Sequence, residues 1–177
     1  MLQWYVSRLR GLLGDVLIWT GQGYRLTVAP GEFDVHTFEG LGAAGLRALA
    51  AGDWSRACAD MMAALGLASG PPYADVPSTP ILEAEVTRLN QQRRALLAAR
   101  LRDDLAAGQC EECLPELTAL ACDHPFDEEF QYLLVTALYE SGRAADALVQ
   151  CRKMRETFVD ELGIEPGVKL RESSTRE

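Results

Sequence analysis

Apolar runs long enough to cross a membrane are missing from the sequence, since none approaches the roughly 20 consecutive residues that a spanning helix needs. The first 14 residues carry Arg8 and Arg10 inside an apolar pattern and lack a small-residue cleavage site, so they do not resemble a signal peptide. Five cysteines, an odd number, favour free thiols over a disulfide framework. These absences predict a cytoplasmic protein that makes no membrane contact.

Catalytic signatures are also scarce. The two histidines, His36 and His124, have no Ser or Cys nearby in a nucleophile motif. The sequence contains no P-loop, GxGxxG or HExxH pattern. Paired acids such as Asp103 and Asp104 are neighbours on a predicted helix and point about 100° apart, so they are not facing carboxylate pairs. We therefore expect no enzyme activity and no cofactor.

Charge, in contrast, is plentiful and unevenly distributed. The 177 residues carry 17 basic and 26 acidic side chains, a net charge of −9. Residues 1–28 hold three arginines and one aspartate, whereas residues 29–177 hold 14 basic and 25 acidic residues. A short basic segment joined to a long acidic one indicates two functions, and the turn sequence Ala-Pro-Gly at 29–31 suits a boundary. We predict domains at 1–28 and 29–177.

The basic segment predicts one helix followed by a hairpin. Apolar residues within 2–13 recur at helical spacing, with polar residues on the other side, and Gly14 is suited to end the helix. Two short β-like runs follow at 16–19 and 24–28. The residues between them, Thr-Gly-Gln-Gly at 20–23, are typical of a hairpin turn.

The acidic segment is predicted to be almost wholly helical from Asp34, which is expected to cap the first helix. We place Pro115 in the first turn of its helix, where a missing N–H costs little. A loop rich in Pro and Ser covers 69–80, and its Tyr73 is expected either to anchor a partner or to dock on its own bundle. The predicted helices are 34–50, 54–68, 81–107, 112–123, 127–141, 144–162 and 166–173. The residues expected in the core are Phe38, Trp54, Met61, Met62, Phe126, Phe130, Tyr132, Tyr139 and Phe158.

An internal repeat runs through these helices. Gly52, Gly108 and Gly142 each lie between two predicted helices, and a small residue follows five positions later. The last two glycines are 34 residues apart, which is the tetratricopeptide period. The fold class predicted is therefore mainly α, a tetratricopeptide-like helical repeat bundle with a small N-terminal helix and β-hairpin. Ordinary helical hairpins without stacking are the alternative.

Three cysteines and one histidine are close enough in sequence to be tested as a zinc site: Cys110, Cys113, Cys122 and His124. Cys113 and Cys122 are nine residues apart on one helix, roughly 13 Å along its axis, so they cannot readily share one ion. We expect no metal. A second cluster, on the long helix, is basic and is expected to form salt bridges with acidic helices; contact with an acidic partner is the alternative. Its members are Arg88, Arg93, Arg94, Arg100 and Arg102.

A polar, arginine-bearing helix followed by a short hairpin is also the layout of a winged helix, whose recognition helix enters the major groove. Arg8 and Arg10 can pair with phosphates or guanine edges, and Gln3 with adenine. The alternative from the residues alone is the solvated face of an amphipathic helix.

Longer motifs carry a resemblance. The segments LQWYVSRLRGLLG and LIWTGQGYRL resemble the last helix and wing of an OmpR-type winged helix, as found in SARP-type (antibiotic regulatory protein) transcriptional activators. The rest is similar to the bacterial transcriptional activator domain that follows the winged helix in that family. The matching segments are FDVHTFEGL, LAAGDWSRA, GPPYADVP, ACDHPFDEEF, LVTALYESGRAADAL and VDELGIEPGVKL.

The resemblance implies a DNA-binding transcriptional activator. It implies a helical domain that supports self-association, as a homodimer, and contact with RNA polymerase or another protein, with promoter DNA as the nucleic-acid partner. Carried over residue by residue, the DNA contacts are expected at Gln3, Ser7, Arg8, Arg10, Gln22 and Arg25.

Two departures from the family pattern bear on DNA binding. Trp19-Thr20 stands where the wing usually has Thr followed by a basic or polar residue. Met1 also falls inside the recognition helix, so the elements that normally precede it are not in the sequence. Two interpretations follow: either the true start lies upstream, or this is an adaptor with a tetratricopeptide-like bundle that has lost DNA binding.

Overall fold

The computed structural model describes residues 2–29 and 31–167. In that part of the chain seven α-helices and one two-stranded antiparallel sheet follow one another in the predicted order. The elements are α1 (Leu2–Leu13), β1 (Leu17–Trp19), β2 (Tyr24–Leu26), α2 (Asp34–Ala50), α3 (Trp54–Leu67), α4 (Pro80–Ala106), α5 (Cys110–Asp123), α6 (Glu128–Glu140) and α7 (Ala144–Leu162). The mainly helical fold class is confirmed.

The first three elements form a small unit of their own. Gly14 has a φ of +61°, which a residue with a side chain rarely adopts, and a 3₁₀ turn over Gly14–Val16 leads from α1 into β1. The strands pair in the register Trp19 with Tyr24 and Leu17 with Leu26. Both strands are shorter than the sequence predicts.

The long helix α4 connects two apolar cores. Leu89, Leu96 and Ala99 pack into one core with residues of α2 and α3, including Phe38 and Met61. Residues of the C-terminal half of α4 pack into the other core with α5, α6 and α7; they include Ala98 and Leu101. At about 1.5 Å per residue the 27 residues of α4 span roughly 40 Å, which is long enough to serve both cores.

The three repeat glycines have the same conformation. Gly52, Gly108 and Gly142 have φ values of +75°, +83° and +75°, and each donates its N–H to a carbonyl three residues earlier. The next residue in each case donates to a carbonyl five residues earlier, which completes the Schellman motif of a helix C-terminus. The helices therefore form three pairs, α2–α3, α4–α5 and α6–α7.

The pairs are stacked rather than separate. Helix α3 contacts α4, and α5 contacts α6, so each pair packs against the next along the chain. The small residues predicted after each turn are buried where the helices of a pair approach: Ala57, Cys113 and Ala147 are at most 5 % exposed. Each of the two cores therefore uses helices of neighbouring pairs, and one pair could not bury it alone.

Two predictions about helix starts are wrong. The N-cap of α2 is Phe33, and Asp34 is the first helical residue, with its carboxylate accepting a hydrogen bond from the N–H of Val35 at 2.8 Å. Helix α5 begins at Cys110, two residues earlier than predicted, because the Schellman turn at Gly108 leads directly into it. Pro115 consequently lies inside α5 rather than in its first turn.

Four of the predicted core residues are substantially exposed. Trp54, Met62, Phe126 and Tyr139 are 58 %, 59 %, 44 % and 55 % exposed. Neighbouring residues on a helix point about 100° apart, so Met62 and Tyr139 lie outside because Met61 and Leu138 face the core. Trp54 is the first residue of α3 and lies at the helix end. Phe38, Met61, Phe130 and Phe158 are buried as predicted, and Tyr132 is half-buried.

Tyr73 docks back on the bundle, against the core formed with α2 and α3. The predicted helix 166–173 lies mostly outside the described residues, since only Pro166 and Gly167 fall within them. No helix in residues 2–29 or 31–167 is long and apolar enough to cross a membrane.

Candidate nucleic-acid interface

Helix α1 presents three of the predicted contact residues on one side. Gln3, Ser7 and Arg10 are spaced by four and three residues, so they follow one another along one face, and all three are exposed. Arg8 is also exposed but lies about 160° around the helix axis from Arg10. The structure therefore groups three of the four side chains and places Arg8 apart.

The apolar side of α1 adjoins this row, since Val6 lies four residues before Arg10 and so on the same side of the helix. Val6 is buried, with 8 % of its surface exposed, whereas Leu9, Leu12 and Leu13 remain 45 %, 78 % and 43 % exposed. The apolar residues of α1 have the helical spacing that the sequence predicts, but in the described part of the chain most of them face solvent. A surface of this kind is a feature of interaction sites rather than of a completed core.

Arg10 connects the helix to the hairpin. Its Nε donates a hydrogen bond to the carbonyl of Leu17 at 3.4 Å, and its guanidinium carbon lies 5.7 Å from the ring centroid of Tyr24. Attraction between a guanidinium and an aromatic face, together with the hydrogen bond, fixes the side chain between the two elements. Arg10 thus has a positioning role in addition to its positive charge.

The hairpin turn places the other two predicted residues. Gly21 has a φ of +89° at the first turn position, as a type II′ turn requires, and Thr20 donates its N–H to the carbonyl of Gly23 at 2.9 Å. Gln22 is exposed at the tip. Arg25 is exposed on β2, and because side chains alternate along a strand it lies on the opposite face from Tyr24.

Aromatic side chains border this surface, a feature that the sequence prediction did not use. The guanidinium carbon of Arg8 lies 5.5 Å from the ring of Trp4, which is 59 % exposed. Trp19 and Tyr24 face each other across the hairpin with ring centroids 4.9 Å apart. The helical spacing of four between Trp4 and Arg8 is the signal that could have indicated the first contact.

Four of the five arginines of α4 form ion pairs within the bundle, as predicted. Arg88 pairs with Glu85 at 2.6 Å and with Glu39 of α2 at 2.5 Å. Arg94 and Arg102 pair with Asp127 and Glu129 at the start of α6. Arg100 pairs with Asp104 of its own helix and Glu116 of α5. In the part of the chain that the structure describes, Arg93 is the member of this cluster without an ion pair.

The cysteine and histidine cluster is dispersed. Cys110 and Cys113 are buried, whereas Cys122 is exposed. Burial, followed by the nearby carboxylates of Glu140 and Glu112, raises the pKa of the Cys110 thiol. Burial also raises the pKa of Cys113. Within residues 2–29 and 31–167, no three His, Cys, Asp or Glu side chains are grouped as metal ligands.

Comparisons with known proteins agree on the family. The model of the bacterial transcriptional activator domain matches residues 33–176. The regulatory protein DnrI of Streptomyces peucetius is 40 % identical over 156 residues, which cover 88 % of this chain and 57 % of DnrI. The regulatory protein AfsR of Streptomyces griseus is 38 % identical over 173 residues, which cover 97 % of this chain and 18 % of AfsR.

A solved structure matches the whole arrangement. Mycobacterium tuberculosis EmbR, in complex with a low-affinity phosphopeptide, superposes with a TM-score of 0.90 and 34 % sequence identity, over 99 % of this chain and 48 % of EmbR. The chain thus spans between about a fifth and slightly more than half of the relatives it matches. With the family model covering most of the sequence and the EmbR bundle superposing on this one, the chain belongs to the bacterial transcriptional activator domain family of SARP-type transcriptional regulators.

Proposed function

We propose that this chain regulates transcription by binding promoter DNA through α1 and the hairpin, while the helical bundle makes protein contacts. The names of its relatives, which include two regulatory proteins and the transcriptional regulatory protein EmbR, support this role. The structural observation that carries the proposal is the exposed row Gln3, Ser7 and Arg10. It lies beside the hairpin, to which Arg10 donates a hydrogen bond.

The proposed roles follow from side-chain chemistry. Gln3 offers the amide that pairs with an adenine edge, and Arg10 and Arg8 offer guanidinium groups for guanine edges or phosphates. Gln22 and Arg25 lie on the hairpin, where a winged helix contacts the backbone or the minor groove. Ser7 supplies a hydroxyl for a phosphate oxygen.

The bundle is assigned to protein partners because of its charge. Residues 29–177 carry 11 more acidic than basic side chains, and a surface of this sign repels nucleic acid. We propose that it supports a homodimer and contact with RNA polymerase or another component of the transcription machinery. The domain boundary near residues 29–31 separates the two roles.

DNA binding is tested by selecting genomic fragments on the purified chain and measuring affinity by fluorescence anisotropy over a range of salt concentrations. Arg8→Ala and Arg25→Ala should each weaken binding, and each should reduce the salt slope by about 0.9 if it removes one phosphate contact. Arg152→Ala, an exposed arginine of α7, is the matched control. Equal affinity of Arg8→Ala and the wild type would contradict its place in the interface.

A second function, that of a protein–protein adaptor without DNA binding, is favoured by the exposed apolar side chains of the bundle. Trp54, Met62 and Ile81 are 58 %, 59 % and 86 % exposed. The same anisotropy experiment separates the two functions: affinity for selected promoter fragments no greater than for random DNA would leave the adaptor as the function of the chain.

A further inference from the structure

A cavity of about 270 Å³ opens between the start of α2, the end of α3, the loop 68–79 and the first half of α4. Its apolar walls come from Phe38, Leu67, Leu89 and the loop prolines, and the ring of Tyr73 packs at the same place. The volume is slightly below the roughly 300–1,000 Å³ of pockets for drug-sized ligands, so it fits an occupant about the size of one or two side chains.

Three charged side chains line this cavity, and they form no ion pair or hydrogen bond with one another. Arg93 contributes a buried Nε that has no acceptor within hydrogen-bond distance among the described residues. Asp34 and Asp75 also line the cavity, and neither forms an ion pair with any residue in the part of the chain that the structure describes. A buried donor without an acceptor costs free energy, which a bound acceptor would recover.

The loop that closes the cavity has an unusual backbone. Tyr73 has a φ of +56°, a value that residues with side chains rarely adopt, and it is the non-glycine residue with a positive φ in the described chain. This conformation brings the tyrosine ring back onto the bundle, where it forms part of the cavity wall. Backbone strain of this kind is concentrated at binding sites.

The surroundings of the cavity are negative. Burial, together with the carboxylates of Glu85 and Asp34, raises the pKa of the Tyr73 hydroxyl above its usual value. Arg88 nearby is already paired with Glu85 and Glu39, and Arg93 is the one basic side chain in the lining against two acidic ones, so the lining keeps a net negative charge. A cationic group on an incoming partner would therefore gain attraction from Asp34 and Asp75.

We propose that this cavity is a docking site for a peptide segment of a partner protein that carries an apolar anchor residue next to a Lys or Arg. The anchor side chain enters between Phe38, Leu89 and Tyr73. A backbone carbonyl of the segment accepts the hydrogen bond from Arg93 Nε, and the basic side chain pairs with Asp34 or Asp75. The site gives the proposed protein-contact role of the bundle a specific partner chemistry, and it is independent of DNA binding by α1.

The test is selection of a random-peptide phage library on the intact chain, followed by anisotropy titration of the selected peptides. The expected result is enrichment of an apolar residue flanked by Lys or Arg. Asp34→Asn and Asp75→Asn together should weaken binding at least about tenfold, since hydrogen bonds to charged groups are the stronger ones. The Asp34→Asn side chain retains an oxygen that can accept the hydrogen bond from the N–H of Val35.

A control variant and the outcomes that would contradict the proposal complete the test. Asp160→Asn, an exposed carboxylate of α7, should leave the affinity unchanged. Arg93→Gln should also weaken binding, and the exposed loop variant Asp75→Asn serves if Arg93→Gln unfolds the bundle. Failure to enrich peptides, enrichment of acidic peptides, or equal affinity for the double variant would overturn the proposal. If the same substitutions abolish self-association, the cavity binds a second copy of the chain, and the proposal is overturned.

Discussion

Arg94 of α4 donates a hydrogen bond at 2.7 Å from Nη2 to Oδ1 of Asp127, the residue that caps α6. The same carboxylate accepts hydrogen bonds from the backbone N–H groups of Glu129 at 3.1 Å and Phe130 at 3.4 Å. One side chain therefore starts a helix and also ties it to the helix that joins the two cores. This arrangement allows the capping and ion-pair contributions to be separated.

Replacing Asp127 by Ala or by Asn separates the contribution of the helix cap from that of the ion pair. Asp127→Ala removes both the cap and the ion pair, and we expect it to lower the free energy of unfolding by about 1–2 kcal/mol for the cap and less than about 1 kcal/mol for the exposed arginine pair. Asp127→Asn retains a capping oxygen and should cost only the smaller amount. Urea unfolding followed by circular dichroism measures both, with Asp160→Asn as the control. Equal losses for Ala and Asn would contradict the capping role.

The same residue predicts how stability depends on pH. Burial alone would raise the pKa of Asp127, but the hydrogen bonds and charge of Arg94 and the two backbone amides lower it below its usual value. Since the folded pKa lies below the unfolded one, this carboxylate stabilises the fold above the unfolded pKa and ceases to do so as the pH falls through the folded pKa.

The wild type should therefore exceed Asp127→Asn in unfolding free energy near neutral pH. The difference should shrink as the solution is acidified below about pH 4, where aspartate begins to be protonated. Urea titrations across that range measure it. A difference that stays constant down to low pH would show that the charge of Asp127 does not contribute.

Local features of the bundle followed directly from the sequence. The turn glycines Gly52, Gly108 and Gly142 could be predicted because each requires a conformation that other residues rarely adopt. The outward orientation of Trp54 and Phe126 could not, because helical spacing identifies a residue's face and not whether another helix covers that face. The ion partners of Arg94 and Arg102 depend on where α6 packs, which is a tertiary property.

Close packing of α2 on α3 gives a third prediction. A Cβ added at Gly45 would lie 2.6 Å from Cγ of Met61 and 3.2 Å from the carbonyl oxygen of Ala57. We expect Gly45→Ala to destabilise the bundle by about 1–3 kcal/mol through overpacking, although Ala favours helix formation. Gly40→Ala lies in the same helix with nothing within 4 Å and should stabilise by about 0.5–1 kcal/mol. Thermal unfolding compares the two variants. Equal shifts of their unfolding temperatures would show that α3 can move away from the added methyl group.

The strained loop residue gives a fourth prediction. Tyr73→Ala removes the docked ring but retains a Cβ at a φ of +56°, whereas Tyr73→Gly removes the ring and relieves the backbone strain. We expect the Gly variant to be more stable than the Ala variant by about 1 kcal/mol, the usual cost of the left-handed conformation. Urea midpoints provide the comparison. An Ala variant as stable as the Gly variant would show that the loop relaxes once the ring is gone.

The candidate DNA interface was predictable only in part. The exposed row Gln3, Ser7 and Arg10 follows from helical spacing, which the sequence contains. The bond between Arg10 and the carbonyl of Leu17 does not, because it depends on how the hairpin folds back against α1. That Arg25 and Tyr24 lie on opposite faces of the hairpin follows from the alternation of side chains along a strand. Which of the two faces contacts Arg10 does not follow from the sequence, because it depends on how the hairpin packs on α1.

That arrangement gives the last prediction, which concerns orientation rather than charge. Tyr24→Leu removes the ring that supports Arg10 without changing the net charge. We expect it to weaken binding to selected promoter DNA several-fold while leaving the salt slope unchanged, because the slope counts phosphate contacts and none is lost. Tyr139→Leu, at an exposed position of α6, is the matched control and should bind as the wild type. Arg10→Ala should reduce both the affinity and the slope. If Tyr24→Leu binds as tightly as the wild type, Arg10 does not need the hairpin ring to reach DNA. If Tyr24→Leu lowers the salt slope, the tyrosine ring positions a side chain that contacts a phosphate, because only the loss of a phosphate contact changes the number of counterions released.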